Sequence, residues 1–182
     1  TLLLISFLAL QVPVIISDPS HGYQWTNPCK ALALIGGALL LATGSAHRFM
    51  RSDLDRRIPS VGTLACLITF SGFLLLAGVQ HFVYLDFVIQ LVPSWMPGRT
   101  FWAYATGVAL VAGGSGMLIP QTRRLAATLS GIMIFLWVIL LHLPRAFFEA
   151  NQTNEWGGVC EALALSGVAF LLAGSVSTKV RV

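Results

Sequence analysis

Charge is what this chain has least of. Aspartate, glutamate, lysine and arginine make up 10% of its 182 residues, where a soluble domain carries about 25%. With 56% hydrophobic residues and a mean hydropathy of +0.80, the composition excludes a water-soluble globular domain. Cysteine is scarce as well. There are three, an odd number, with no CxxC and no CxxCH, which argues against a disulfide scaffold and a c-type haem attachment. No metal-ligand cluster and no nucleophile–base pair is visible, so no catalytic residue and no metal is assigned. The glycine cluster Gly113-Gly114-Ser115-Gly116 lacks the strand and the lysine that a phosphate loop requires, and reads as a helix-packing surface. Hydrolase and kinase readings have no support. The net charge of +4 needs no nucleic acid, because membrane orientation and anionic lipid account for it.

Long apolar runs are what the chain does have. Six of them, 1–17, 29–46, 61–80, 101–119, 124–143 and 157–176, approach the roughly 20 residues that cross a bilayer. The fold class expected is all-α, a polytopic membrane protein with six transmembrane helices. Residues 1–17 lack the basic start and small-residue cleavage site of a signal peptide, and so read as a membrane helix. Eight of the eleven lysines and arginines fall in 47–60, 120–124 and 177–182, which the positive-inside rule assigns to the cytoplasm. The opposite end gathers Tyr23, Trp25, Tyr84, Trp95, Trp102 and Trp156, an interfacial belt in which Trp25, Trp95, Trp102 and Trp156 serve as anchors. Small residues four apart, such as Ala103/Gly107, Ala109/Gly113 and Ala112/Gly116, let helix backbones approach closely. Gly36 and its counterpart Gly167 are expected to do the same.

That pair belongs to an internal repeat. Residues 2–44 and 133–175 align without a gap, and from Trp25–Ala42 to Trp156–Ala173 eleven of eighteen positions are identical. Four spans lie between equivalent positions, an even number, so the copies insert in the same direction and are related by an axis along the membrane normal. The second copy reads as four spans and the first shows only its last two, which implies two further helices before Thr1.

Polar residues collect at the Trp-rich end. His81 and Asp86 lie at the end of the third span. His142, Arg145, Glu149, Glu155 and Glu161 lie at the ends of the last two. Ionisable groups near hydrocarbon are costly and tend to pair or to serve a site, so these seven form either a salt-bridged rim, with Arg145 reaching Glu155 or Glu161, or a ligand-binding rim. The first copy has Gln11, Val14, Gln24 and Lys30 where the second has His142, Arg145, Glu155 and Glu161, and Asp18 where it has Glu149. The titratable set was replaced while the apolar frame stayed. The change from Glu161 to Lys30 also permits a bridge between copies. Between spans, residues 82–91 make a short amphipathic piece, and Pro93 and Pro97 bracket Trp95 and Met96, a lid over this end of the bundle. Two histidines at one depth can in principle hold a haem or a chlorophyll, but His81 and His142 lack any haem-site spacing, and an interfacial hydrogen bond is their expected fate. A Cys29–Cys160 bridge would require the two to meet at the repeat axis.

The ordered motifs Gly78-x-Gln80-His81-Phe82-x-Tyr84, Pro93-x-Trp95-x-Pro97-Gly98, His142-x-Pro144-Arg145 and Glu155-Trp156 with Glu161-Ala162 resemble the DoxX/DoxD-like family of small four-helix bacterial membrane proteins. The resemblance covers 61–182 as a complete copy and 1–60 as the last two helices of another. It implies a bacterial inner membrane location and a role near electron transport. Two functions follow as expectations. One is an accessory subunit, without chemistry of its own, packed among other membrane subunits and lipid in a respiratory or photosynthetic complex. The other is a quinone-coupled redox subunit that takes a quinone or small sulfur compound at the outer rim, with His142, Arg145 and Glu161 as ligands. Enclosure of the rim around a cavity separates the two.

Overall fold

A computed structural model of the chain describes residues 25–50, 60–148 and 152–176. Every regular element among them is helical. In order they are α1 (Thr26–Met50), α2 (Val61–Val83), α3 (Leu85–Leu91), α4 (Arg99–Leu118), α5 (Arg123–Trp137), a π-helical turn (Val138–His142), α6 (Leu143–Phe148) and α7 (Gln152–Ser175). Five stretches are long and apolar enough to cross a membrane: Thr26–Gly44, Val61–Val83, Arg99–Leu118, Arg123–Phe148 and Glu155–Ser175. They match five of the six expected spans. The remaining one, 1–17, lies outside the described residues, as do Gln11, Val14, Asp18, Gln24 and Glu149.

Local chemistry sets the helix ends. The Ser60 hydroxyl accepts the Thr63 N–H at 3.1 Å and caps α2, supplying one of the bonds that a helix start lacks. Gly98 takes φ 69, a left-handed conformation open to glycine, and turns the Pro93–Pro97 segment into α4. At the other end of α4 the Arg123 guanidinium donates to the carbonyls of Met117 and Leu118 at 2.8 and 3.3 Å, satisfying acceptors that the last turn leaves open.

The five spans close into a ring, with α1 on α2, α2 on α4, α4 on α5, α5 on α7 and α7 back on α1. At the Arg-rich end the ring is tight. A Cβ at Gly114 would lie 2.9 Å from the Ser71 carbonyl oxygen and one at Gly116 3.0 Å from the Ala126 Cβ, while Gly113 faces the Ser130 side chain. Phe70, Leu74, Met117 and Leu172 are fully buried, and Ser166 donates to the Gly131 carbonyl at 2.9 Å across α5 and α7.

The repeated helices meet each other in register. Lys30 Nζ lies 2.5 Å from Glu161 Oε2, and these residues are 131 apart, which is the repeat period. One heptad on, a Cβ at Gly37 would meet Val168, its own repeat equivalent. The two small-residue positions expected to behave alike do not. Gly36 sits against α2, where a Cβ would be 2.9 Å from the Cys66 Cα, but nothing lies within 4 Å of a Cβ at Gly167. The reason is topological: α2 covers α1 there, and no described helix covers the matching face of α7. Cys29, Cys66 and Cys160 are free thiols.

Candidate functional site

At the Trp-rich end the ring splays around a cavity of about 400 Å³, within the roughly 300–1,000 Å³ of ordinary small-molecule sites. Every span contributes a wall. Thr26 and Lys30 come from α1, Phe73, Ala77 and His81 from α2, Trp102 and Thr106 from α4, Trp137 from α5, and Gly158 and Glu161 from α7. Most of the lining is hydrocarbon and aromatic, with a few polar groups at one level.

Each polar group has a local cause. His81 lies in the last turn of α2, and its Nδ1 bonds the Ala77 carbonyl of the preceding turn at 2.7 Å. A carbonyl only accepts, so Nδ1 carries the hydrogen and Nε2 is left as the ring's acceptor. His142 ends the π-helical turn, where the Leu143 N–H donates five residues back to Val138. The proline that follows, Pro144, has no N–H to give to the α-helical ladder. A wider turn is a common accommodation and a frequent mark of functional positions. Here it puts the adjacent residues Leu141 and His142 both on the cavity wall. Gly158 leaves room for that imidazole: a Cβ there would stand 3.3 Å from His142 Nδ1. Thr26 donates to Gln80 Oε1 at 2.6 Å and holds the start of α1 to α2.

Two seams are closed by side chains rather than by backbone approach. The Lys30–Glu161 pair bridges α1 and α7, with its side chains 20% and 40% exposed. Trp102 and Trp137 meet edge to face at 6.2 Å between α4 and α5, a favourable ring geometry. Over the top lies α3, from which Val88, Leu91 and the following Val92 face the cavity. Arg99 ties that lid to the base of α4, donating from Nε and Nη2 to the Ile89 carbonyl at 3.1 and 2.7 Å. Its outer side is aromatic, with Phe87 and Trp95 exposed.

The expected rim therefore divides. His81, His142 and Glu161 line the cavity. Arg145 and Glu155 pair with each other at 3.0 Å and stand apart from the lining, and Asp86 is exposed on the lid. Of the four interfacial anchors, Trp102 is also a cavity wall, while Trp95 and Trp156 are exposed and Trp25 is half-buried. Sequence reasoning passed over Thr26, Thr106 and Trp137. For Trp137 the signal was present, since it is the one tryptophan that the interfacial belt left unexplained. Among the described residues no group of three His, Cys, Asp or Glu side chains is placed to hold a metal ion. The arrangement suits an apolar or flat molecule with a polar head, offering the lysine ammonium as donor and imidazole and carboxylate as acceptors.

The chain belongs to the family described as a domain of unknown function, DUF8561, whose model matches residues 70–168. That range holds every cavity wall except the two residues supplied by α1. No curated protein and no solved structure matches the chain.

Proposed function

We propose that this chain is a bacterial inner-membrane protein that binds an amphipathic ligand of the quinone class in the cavity at its Trp-rich, outward end. The head group sits among His81, His142, Lys30 and Glu161, and the apolar part lies against Trp102 and Trp137. The cavity itself carries the reading. A subunit whose only task is to pack against neighbours has no use for a recess of about 400 Å³, the size of ordinary small-molecule sites, with its titratable groups turned inward. The DoxX-like resemblance supports the choice of quinone, and the walls support an aromatic or isoprenoid partner over a small anion. Redox chemistry then belongs to a partner that delivers electrons, because the chain's own residues supply only hydrogen bonds and a charge pair.

Quinone binding is tested with the full chain in nanodiscs, titrated with a short-tailed ubiquinone while tryptophan fluorescence is followed. Trp102 and Trp137 line the cavity, so occupancy should quench saturably. Glu161→Gln and His142→Leu should each weaken binding about tenfold, or roughly 1.4 kcal/mol. Quenching that stays linear with quinone and identical in both variants would reflect partition into lipid and dismiss the proposal. A second reading, as an accessory subunit beside a larger electron-transport complex, is favoured by one observation: the face of α7 that no described helix of the chain covers.

A further inference from the structure

The cavity's titratable groups stand at two poles. His142 lies at the seam of α5 and α7, where a Cβ at Gly158 would meet its Nδ1. With Lys30 and Glu161, which join α1 to α7, it makes the first pole. His81 makes the second. It sits at the seam of α2 and α4, where a Cβ at Gly107 would come 2.9 Å from the His81 Cβ. In the ring of five spans that seam lies across from α7. The poles therefore flank the space between them, and all four residues line it.

The poles differ in what they can exchange. The first is ambivalent: the lysine ammonium donates, the carboxylate accepts, and a neutral imidazole carries one donor and one acceptor. The second is fixed. His81 Nδ1 gives its hydrogen to the Ala77 carbonyl at 2.7 Å, so Nε2 offers a lone pair and no hydrogen. A quinone and its two-electron-reduced quinol share ring and tail, and in both the two oxygens stand on opposite sides of the ring. They differ in hydrogen. The quinone's carbonyls only accept, whereas the quinol's hydroxyls also donate.

We propose that the cavity selects the quinol over the quinone, with one hydroxyl donating to His81 Nε2 and the other set at the Lys30–Glu161–His142 pole. The inference rests on the quinone-class reading of the cavity and names the form that it holds. At the first pole either form finds a partner, carbonyl to ammonium or hydroxyl to carboxylate, so that pole does not discriminate. At His81 a quinone carbonyl would set one lone pair against another and leave both unanswered in an apolar enclosure. Thr106 and the indoles of Trp102 and Trp137 add donors elsewhere on the wall, but they do not supply the hydrogen that the ligand must bring to Nε2. Sites built to bond a ligand's hydroxyl reject the analogue that lacks it. Such a cavity retains the reduced carrier and releases the oxidised one, which makes it a place of quinol uptake.

The full chain in nanodiscs is titrated anaerobically with a short-tailed ubiquinone, with its quinol, and with the quinol's dimethyl ether, which has a reduced ring but no hydrogen to give. Dissociation constants are read from tryptophan quenching, or from displacement of the quinone where a ligand quenches weakly. The quinol should bind about tenfold tighter than either of the others, the cost of one unanswered acceptor. His81→Gln exchanges the fixed acceptor for an amide that donates or accepts, and should bring quinol and quinone within about twofold of each other. A histidine that served only the fold would weaken both alike and leave their ratio standing. Equal affinities, a tighter quinone, an ether that binds like the quinol, or a preference that survives His81→Gln would each overturn the selection and leave the cavity a quinone-class site. Failure of all three ligands to bind saturably would dismiss that site, and the selection with it.

Discussion

At the Arg-rich end three glycines of α4 let neighbouring helices come close: Gly114 against the Ser71 carbonyl, Gly113 against the Ser130 side chain and Gly116 against the Ala126 methyl. At the Trp-rich end α2 and α4 still touch, with Gly78 against the Gly107 carbonyl and the Val111 N–H, while side chains close the other gaps: Trp102 on Trp137, Lys30 on Glu161, and a lid tied by Arg99. At the first end the missing Cβ atoms let α2 and α5 touch α4. The other can admit a molecule because its closures are side chains, which change rotamer without moving a helix axis.

The comparison breaks most readily at the tight end. Gly114→Leu forces atoms into the Ser71 carbonyl, and overpacking of this kind costs about 1–3 kcal/mol or more. The detergent-solubilised variant should unfold at markedly lower temperature, or aggregate in size-exclusion chromatography. Gly157→Leu, at an open position, should stay within about 0.5 kcal/mol, as exposed substitutions do. Equal losses at the two sites would mean that the ends are not packed differently.

A second substitution reverses the pattern. Ala77 lines the cavity, and Ala77→Phe puts a ring into space that is otherwise free. Stability should hold or rise, because filling a void restores contacts. Quinone quenching should fall by about a hundredfold, or roughly 2.7 kcal/mol. Lost stability with intact binding would place the guest elsewhere.

The Lys30–Glu161 closure offers a smaller and more informative effect. Glu161 is 40% exposed, so screening holds the pair to about 1 kcal/mol or less. Lys30→Met should cost about that much and strand the carboxylate on the cavity wall. Because the two positions are repeat equivalents facing each other, the exchange Lys30→Glu with Glu161→Lys should recover most of the loss. A double-mutant cycle on thermal stability measures this coupling. No recovery would show that the two sides of the contact are not interchangeable.

Much of this was legible in the sequence for a physical reason. Crossing a bilayer demands a run of apolar residues, and that demand is local, so five spans could be read to within a few residues of where they lie. Lys30 facing Glu161 was legible as well, through the repeat. What could not be read was which way each rim residue turns. Arg145 and Glu161 are both on helix ends at one depth, yet one pairs outside the cavity and the other lines it. That outcome depends on the π-helical turn before Pro144 and on the missing side chain at Gly158, features whose effect exists only once α5 and α7 are packed. Gly167 was misread for a related reason. A glycine records that a close approach is possible, and whether a helix comes to fill it is a property of the assembly.

The smallest expected effect tests where the site ends. Asp86 lies on α3 with Val88 and Leu91, only two residues from a cavity wall, yet it is exposed and those two face inward. On a helix, residues two apart point to different sides, so its charge is presented away from the cavity that the lid's apolar face covers. Asp86→Asn should therefore leave thermal stability within about 0.5 kcal/mol and quinone affinity within a factor of about two, since a solvated surface charge is screened by salt. Val88→Asp places the same carboxylate on the inward face, where it would be desolvated against Trp102 and the apolar wall, and there binding should weaken at least about tenfold. If Asp86→Asn proved as damaging as Val88→Asp, the lid would sit on the bundle by its other face, and the polar side of α3 would belong to the cavity after all.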